Sequence, residues 1–385
     1  MSAAAVVKPL KKIGDTILAY RKARPDASCE EMLTYVKKHF PGAKTTLASV
    51  ASTLSHAGVA PGRMRSADAI PTLHNINDVH VEPAEDSETD EQIRERIFVR
   101  YKAMERMIPR TVNGKIPSII ISGPPGVGKS HDTMEAIVAS GRLRHDGTTN
   151  VGGGGPIRAR VVDGKPSFAP PDDDEDTADF QYMDLPGYYD QIQGTCSEVG
   201  LYRALWHMRN GGVLFLDDCD AVFKSEDALN LLKVATDSTR ERLVSWRKNA
   251  AWLDEEEIDR TFDFRGRIIF LTNIDFEAVI ARNHPSSEHF RALIDRSAYL
   301  CLTLRTARDF MILLDWKAGG KDGFLRHAPY NFNDKQVKEL FDFLRVNQRR
   351  FYNLSLRLVG QIALNMMADP DSWRQDVEAT KMRTV

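Results

Sequence analysis

Ser118-Ile119-Ile120-Ile121-Ser122-Gly123-Pro124-Pro125-Gly126-Val127-Gly128-Lys129-Ser130 is the stretch from which the fold class follows. Three β-branched residues in a row, Ile119 to Ile121, come just after Pro117 and predict a short strand buried on both faces. His131-Asp132-Thr133-Met134-Glu135-Ala136-Ile137-Val138 then predicts a helix. Between strand and helix, Gly123, Gly128, Lys129 and Ser130 fit G-x-x-x-x-G-K-[ST], a phosphate-binding loop. Glycines at 123, 126 and 128 let the backbone curl so that N–H groups point inward at phosphate oxygens. The start of the helix adds its positive dipole end. Lys129 supplies a point charge for the outer phosphates, and the Ser130 hydroxyl suits Mg²⁺. The whole run Gly123, Pro124, Pro125, Gly126, Val127, Gly128, Lys129, Ser130 and His131 is therefore the expected nucleotide-contacting segment.

Working outward, 385 residues predict two or three folding units. Apolar content of 42% and charged content of 28% are those of a soluble globular chain. The net charge of −2 names no partner by itself. No apolar run approaches the roughly 18 residues of a membrane span, and no signal-peptide pattern is seen, so the expectation is cytoplasmic, in a bacterial host if the chain is phage-encoded. Cys29, Cys196, Cys219 and Cys301 form no C-x-x-C pair and read as free thiols, with no zinc site.

Residues 1–62 read as a small helical domain resembling a helix-turn-helix module. Leu10, Ile13, Ile17 and Leu18 recur at helical spacing. Ser28 and Glu31 form a capping box ahead of Met32, Leu33, Val36 and Phe40, and Pro41-Gly42 ends that helix. A third helix is expected over residues 45–56. Residues 1–66 hold eleven Lys and Arg against four Asp and Glu, a balance that favours phosphate contact and makes DNA a candidate partner. Residues 63–90 read as an acidic linker, and residues 91–108 as a helix leading into the loop strand. The tetraglycine at 152–155 and the acidic run at 170–179 read as irregular, solvated segments. Residues 180–185 read as a strand followed by a turn, Pro186-Gly187-Tyr188-Tyr189, with exposed aromatics.

A second signal lies at Gly211-Gly212-Val213-Leu214-Phe215-Leu216-Asp217-Asp218-Cys219-Asp220. An apolar strand ending in acids places Asp217 to support Mg²⁺, a hard cation that keeps waters. Asp218 beside it is placed to prepare an attacking water. A third strand, Arg267-Ile268-Ile269-Phe270-Leu271-Thr272-Asn273, ends in a polar amide at the edge where open α/β sheets bind ligands. Residues 243–248 suggest a hairpin arm in which Trp246, Arg247 and Lys248 either pack or meet single-stranded nucleic acid.

Taken together, these motifs resemble the AAA+ ATPases over residues 91–370, and within that family those encoded by bacteriophages. The resemblance implies an α/β P-loop core over 91–304, a parallel sheet between helices, with a helical lid over 305–385. It implies ATP and Mg²⁺ as ligands, Asn273 as the residue positioning water, and Arg357 in Asn353-Leu354-Ser355-Leu356-Arg357 as a γ-phosphate sensor. Arg296, or Arg291 nearby, would act on the nucleotide of an adjoining subunit. Such proteins assemble as rings, often hexamers, that work on a polymer. DNA handling in phage replication or recombination is the expected role, with protein remodelling or a slowly hydrolysing scaffold as alternatives. The last follows from Asp218, one methylene shorter than the family's usual Glu. Tyr188 and Tyr189 fall where pore loops occur in ring translocases.

Overall fold

The computed structural model describes residues 13–23, 29–40, 50, 53, 88–145, 154–162, 165–167, 181–282 and 284–383. Most of the expected third helix, the linker up to residue 87, Gly152, Gly153 and the acidic run at 170–179 lie outside them. The chain divides into two compact units, Met1–Ile70 and Pro71–Val385. In the first, α1 (Ile13–Ala23) and α2 (Cys29–His39) bury Ile17, Tyr20, Met32 and Val36 together with Val50.

The second unit is α/β. Helix α3 (Asp90–Val112) starts at a capping box, in which the Thr89 and Gln92 side chains each bond the other's backbone N–H. Its stripe Ile93, Ile97, Tyr101, Met104 and Ile108 is buried, as spacing of three and four residues dictates. The loop strand β1 (Ser118–Ser122) follows, wholly buried, and then α4 (Lys129–Ala139). Beyond β2 (Leu143–Arg144), an antiparallel trio forms from β3 (Ile157–Val162), β4 (Lys165–Ser167) and β5 (Tyr182–Leu185). The chain then returns to the main sheet as β6 (Tyr188–Gln193), α5 (Glu198–His207) and β7 (Val213–Asp217). Helix α6 (Glu226–Ala235) leads to a hairpin, β8 (Leu243–Ser245) and β9 (Thr261–Asp263), which encloses α7 (Ala251–Glu255). Strand β10 (Arg267–Thr272), helices α8 (Phe276–Ala281) and α9 (Ser287–Arg296), and strand β11 (Ala298–Cys301) complete the sheet region.

Six strands, in the order β11-β1-β10-β7-β6-β2, are parallel throughout. Alternate side chains face opposite ways. Ile119, Ile121, Phe215, Ile269 and Leu271 join the core built with α3 and the C-terminal helices. Phe270 points the other way, toward Phe223, which in turn contacts Phe276 and Phe290. Burying each such side chain stabilises the fold by about 1.5–3 kcal/mol. The C-terminal helices are α10 (Ala307–Leu314), α11 (Asp334–Asn347), α12 (Leu356–Ala368) and α13 (Trp373–Lys381). Asn333 caps α11 through a capping box with Gln336, as the sequence suggests. They share one hydrophobic core with α3 and the sheet.

One expectation is corrected. Tyr188 and Tyr189 are not a turn with exposed aromatics: they open β6, pair with β2, and Tyr189 is buried in the core. Gly187, at φ +111°, makes the turn immediately before them. Of the two alternatives for Trp246, packing holds: it is buried against Tyr202 and Trp252. The last long helix begins at Leu356, because the Ser355 side chain accepts from Leu358 N and caps it there.

Candidate functional site

Inserting β10 between β1 and β7 decides the site's geometry, since it brings the ends of three strands side by side. The loop after β1 carries Lys129 and Ser130; β7 ends in Asp217; β10 is followed at once by Asn273. Asp217 pairs in register with Leu271 on one side and with Gln193 on the other.

Gly126 and Gly128 hold φ of +73° and +99°, conformations that cost a side-chain-bearing residue dearly. Each is also hemmed in: a Cβ on Gly126 would lie 2.6 Å from Ser355 Cβ, and one on Gly128 3.3 Å from Leu356 Cδ1. The loop is held from both sides. Tyr101 Oη donates to Val127 O at 3.0 Å, and Leu356 N donates to Gly126 O at 2.9 Å. Asp132 N to Gly128 O is the first helical hydrogen bond of α4, so the N–H groups of residues 128–131 have no partner within the helix.

Lys129 is buried, with Nζ donating to Gly123 O at 2.6 Å, Pro124 O at 2.9 Å and Asn273 Oδ1 at 3.0 Å. Burial lowers its pKa to about 8, against the pull of Asp218, Asp220 and Asp217. Ser130 Oγ donates to Asp217 Oδ1 at 2.7 Å. Asn273 Nδ2 donates to Asp218 Oδ1 at 3.1 Å, so one amide bridges the lysine and the second acid. Asp218 stands at φ +50°, a strained conformation for a residue with a Cβ. Desolvation raises its pKa and Asp217 adds to the rise, while Lys129 and Arg357 oppose it.

Two parts of the site were not anticipated from sequence. Gln193 Nε2 donates to Asp217 Oδ2 at 2.8 Å, and Gln191 Nε2 reaches the same oxygen at 3.5 Å. Their spacing of two puts both amides on one face of β6, but which strand that face meets follows only from the strand order. Asp220 Oδ1 accepts from Thr272 Oγ1 at 2.5 Å, and that hydroxyl accepts from Ile274 N at 3.0 Å. Ser122 Oγ then donates to Ile274 O at 2.5 Å. The residues on either side of Asn273 are thus bonded to the end of β1 and to the turn after β7.

The remaining expected residues fall in three places. Arg357, second residue of α12, is exposed and lines a cleft of about 240 Å³ with Pro125, Gly126 and Ser355. His131 lies on α4 but turns outward, its side chain 81% exposed and 3.4 Å from Asp132. Arg296 is not with the others. It ends α9, and its carbonyl accepts from Ser118 Oγ at 3.4 Å, at the opposite edge of the sheet. Five strand residues separate that edge from the loop, roughly 15 Å.

The donor set suits a nucleoside triphosphate with Mg²⁺. A carboxylate and a hydroxyl in contact are hard oxygens. The buried ammonium is bonded only to neutral oxygens, and the glycine-lined loop has unpaired helix-start N–H groups above it.

No family model matches the chain. A 36.7 kDa uncharacterized protein from the nrdC-mobD intergenic region of Enterobacteria phage T4 is 29% identical over 296 residues, 77% of each chain. Among solved structures, NtrX from Brucella abortus in complex with ATP is 14% identical at a TM-score of 0.30, covering 95% of this chain and 83% of that one. NtrX from the same organism in complex with ADP is 13% identical at a TM-score of 0.29, covering 96% and 78%. At those scores the likeness fixes neither fold nor function.

Proposed function

We propose that this protein is an AAA+-type ATPase that binds ATP with Mg²⁺ and hydrolyses it at the carboxyl ends of β1, β7 and β10. The observation that carries the reading is the 2.7 Å contact between Ser130 and Asp217, beside the buried Lys129. Residues 87 positions apart in sequence meet there as the motifs would have them meet. Backbone N–H groups of the loop and Lys129 hold the phosphates. Ser130 and Asp217 would hold Mg²⁺, which would neutralise phosphate charge when bound. Asp218, kept from easy ionisation by desolvation, takes up a proton from water that Asn273 orients. Arg357 approaches from the C-terminal helices, which act as a lid. Arg296 serves the site of an adjoining subunit, in an assembly that is most simply a hexameric ring.

DNA is the proposed polymer. The basic N-terminal unit and the phage origin of the relative support it. No helix among the described residues is long and apolar enough to cross a membrane. The test is turnover by the full chain with single-stranded DNA, double-stranded DNA or no polymer, with Lys129→Ala alongside. Stimulation by DNA that falls steeply with salt is expected, and Lys129→Ala abolishes it. Equal rates in all three conditions would sink the DNA part, and stimulation by a protein chain would replace it with remodelling. ATP-dependent assembly without turnover would leave a scaffold.

A further inference from the structure

The turn after β7 holds a buried thiol that the proposed chemistry does not use. Cys219 is 2% exposed and follows Asp218 directly. Cys196, partly exposed, lies three residues beyond Gln193 in the segment joining β6 to α5. Because Gln193 and Asp217 are in register, the two cysteines leave adjacent strands at the same edge, three and two residues past a paired position. The two side chains lie close enough to perturb one another, with the Cys196 thiol donating meanwhile to Ser197 O at 3.3 Å. Twenty-two residues separate them along the chain, so only the parallel pairing of β6 and β7 reveals their proximity.

We propose that Cys196 and Cys219 form a reversible disulfide, made by exchange with a low-molecular-weight disulfide, that distorts the acid pair. The exchange balances in two steps. The Cys196 sulfur, the one solvent reaches, attacks one sulfur of glutathione disulfide and breaks that bond, which releases one glutathione thiol and leaves a mixed disulfide. The Cys219 sulfur then attacks the Cys196 sulfur, the protein disulfide forms, and a second glutathione thiol leaves. Two protein thiols are oxidised, one disulfide is reduced, and the two protons end on the two glutathione molecules.

Closing the bond brings the sulfurs from non-bonded contact to about 2.05 Å. Two short segments must supply the movement. One is the run from Gly194 to Ser197, where Gly194 sits at φ +83° with open space around it. The other is the turn at Asp218, already strained at φ +50°. The first segment carries Gln193, which holds Asp217; the second carries Asp218 itself. The bond does not depend on the ATP reading, but its effect on turnover rests on it.

The test uses the full reduced chain, exposed to glutathione disulfide, capped with a maleimide and digested with trypsin without reductant. Arg203 and Arg209 lie between the cysteines, so their peptides separate unless joined. The expected result is a linked pair of peptides containing Cys196 and Cys219, resolved by dithiothreitol. Turnover should fall about tenfold to a hundredfold in the oxidised protein, the scale of an ångström displacement of catalytic groups, and return on reduction. Cys196→Ser should keep its turnover under the same oxidant, and Cys219→Ala should stop at a glutathione adduct on Cys196. Recovery of both cysteines capped, or of only the adduct in the unaltered protein, overturns the site. A linked pair with unchanged turnover overturns the distortion. A linked pair in a protein that binds no ATP analogue in either state leaves the disulfide standing and removes the nucleotide reading instead.

Discussion

At the carboxyl edge of the sheet, hydrogen bonds of 2.7–3.1 Å tie Ser130, Asp217 and Gln193 into one set and Lys129, Asn273 and Asp218 into another, within one chain. At the amino edge, Arg296 is weakly tied. One guanidinium nitrogen bonds its own helix at Ala292 O, Nε lies 4.0 Å from Asp237 Oδ2, and that Nε has no hydrogen-bond partner among the described residues. The first region satisfies itself; the second leaves a half-buried cation with spare donors. Under the proposed function this guanidinium, held on its own chain only by Ala292 O and a long contact to Asp237, turns to the phosphate of an adjoining subunit's nucleotide. On the proposed reading, the two regions are halves of one site that is completed when two copies of the chain meet.

The sharpest way to break that comparison is Arg296→Ala. Turnover should fall about a thousandfold, the scale of a trans arginine, while affinity for an ATP analogue stays near that of the parent. Mixing Arg296→Ala with Lys129→Ala subunits should restore part of the rate, since each supplies what the other lacks. Arg291→Ala, at an exposed position of the same helix, should change little. Unchanged turnover in Arg296→Ala would mean that the amino edge has no part in the chemistry.

Asp218→Asn comes next. Loss of a proton acceptor should lower turnover about a hundredfold with binding intact, measured by single-turnover hydrolysis beside analogue binding. Asp218→Glu is the finer probe, since a faster rate would mean that the acid's reach limits the native site. A rate equal to the parent in Asp218→Asn would assign the water to another group.

How legible these regions were follows from what each needs. The loop was readable because glycines, lysine and serine at fixed offsets have few structural alternatives. The apolar runs of β1, β7 and β10 were readable because strands buried on both faces must be apolar throughout. Strand β11, with Ala298 and Tyr299 only partly buried at the sheet's edge, carries no such run and gave no warning. Tyr188 and Tyr189 misled because a Pro-Gly pair ahead of aromatics reads as a loop. Its turn is completed at Gly187, and pairing with β2 and β7, remote in sequence, draws the tyrosines into the sheet. Gln193 was hidden for the same reason, as its partner became visible only with the strand order.

Gln193→Leu tests whether the carboxyl edge is as self-contained as it looks. Removing the amide leaves Asp217 Oδ2 with only Gln191 at 3.5 Å. Outer groups of this kind change metal affinity by about tenfold or more, so the Mg²⁺ concentration for half-maximal turnover should rise by that factor. Gln191→Leu, which removes the longer contact, should shift it less. Equal shifts for the two would mean that the strand's packing matters and the 2.8 Å bond does not.

The smallest expected effect is one of pH, and it separates the two edges cleanly because only one holds a buried lysine. Burial brings Lys129 to about 8 without ligand. Phosphate oxygens favour the ammonium, so ligand binding raises that value and takes up a proton. The sign then follows. Below pH 8 the lysine is already charged and affinity is full; as pH rises through 8, binding must first protonate it, and affinity falls. Between about pH 7 and about pH 8.5 the loss should be about fourfold. Calorimetry in buffers of different ionisation enthalpy should register proton uptake near pH 8.5 and almost none near pH 6.5. In the ligand-free protein the same depressed value works the other way. The unfolded chain holds the proton more tightly, so stability should rise with pH between the folded and unfolded values, and Lys129→Met should flatten that rise. Arg296→Ala should leave both slopes as they are; if it altered them, the two edges would be electrostatically joined within one chain and the division drawn between them would fail.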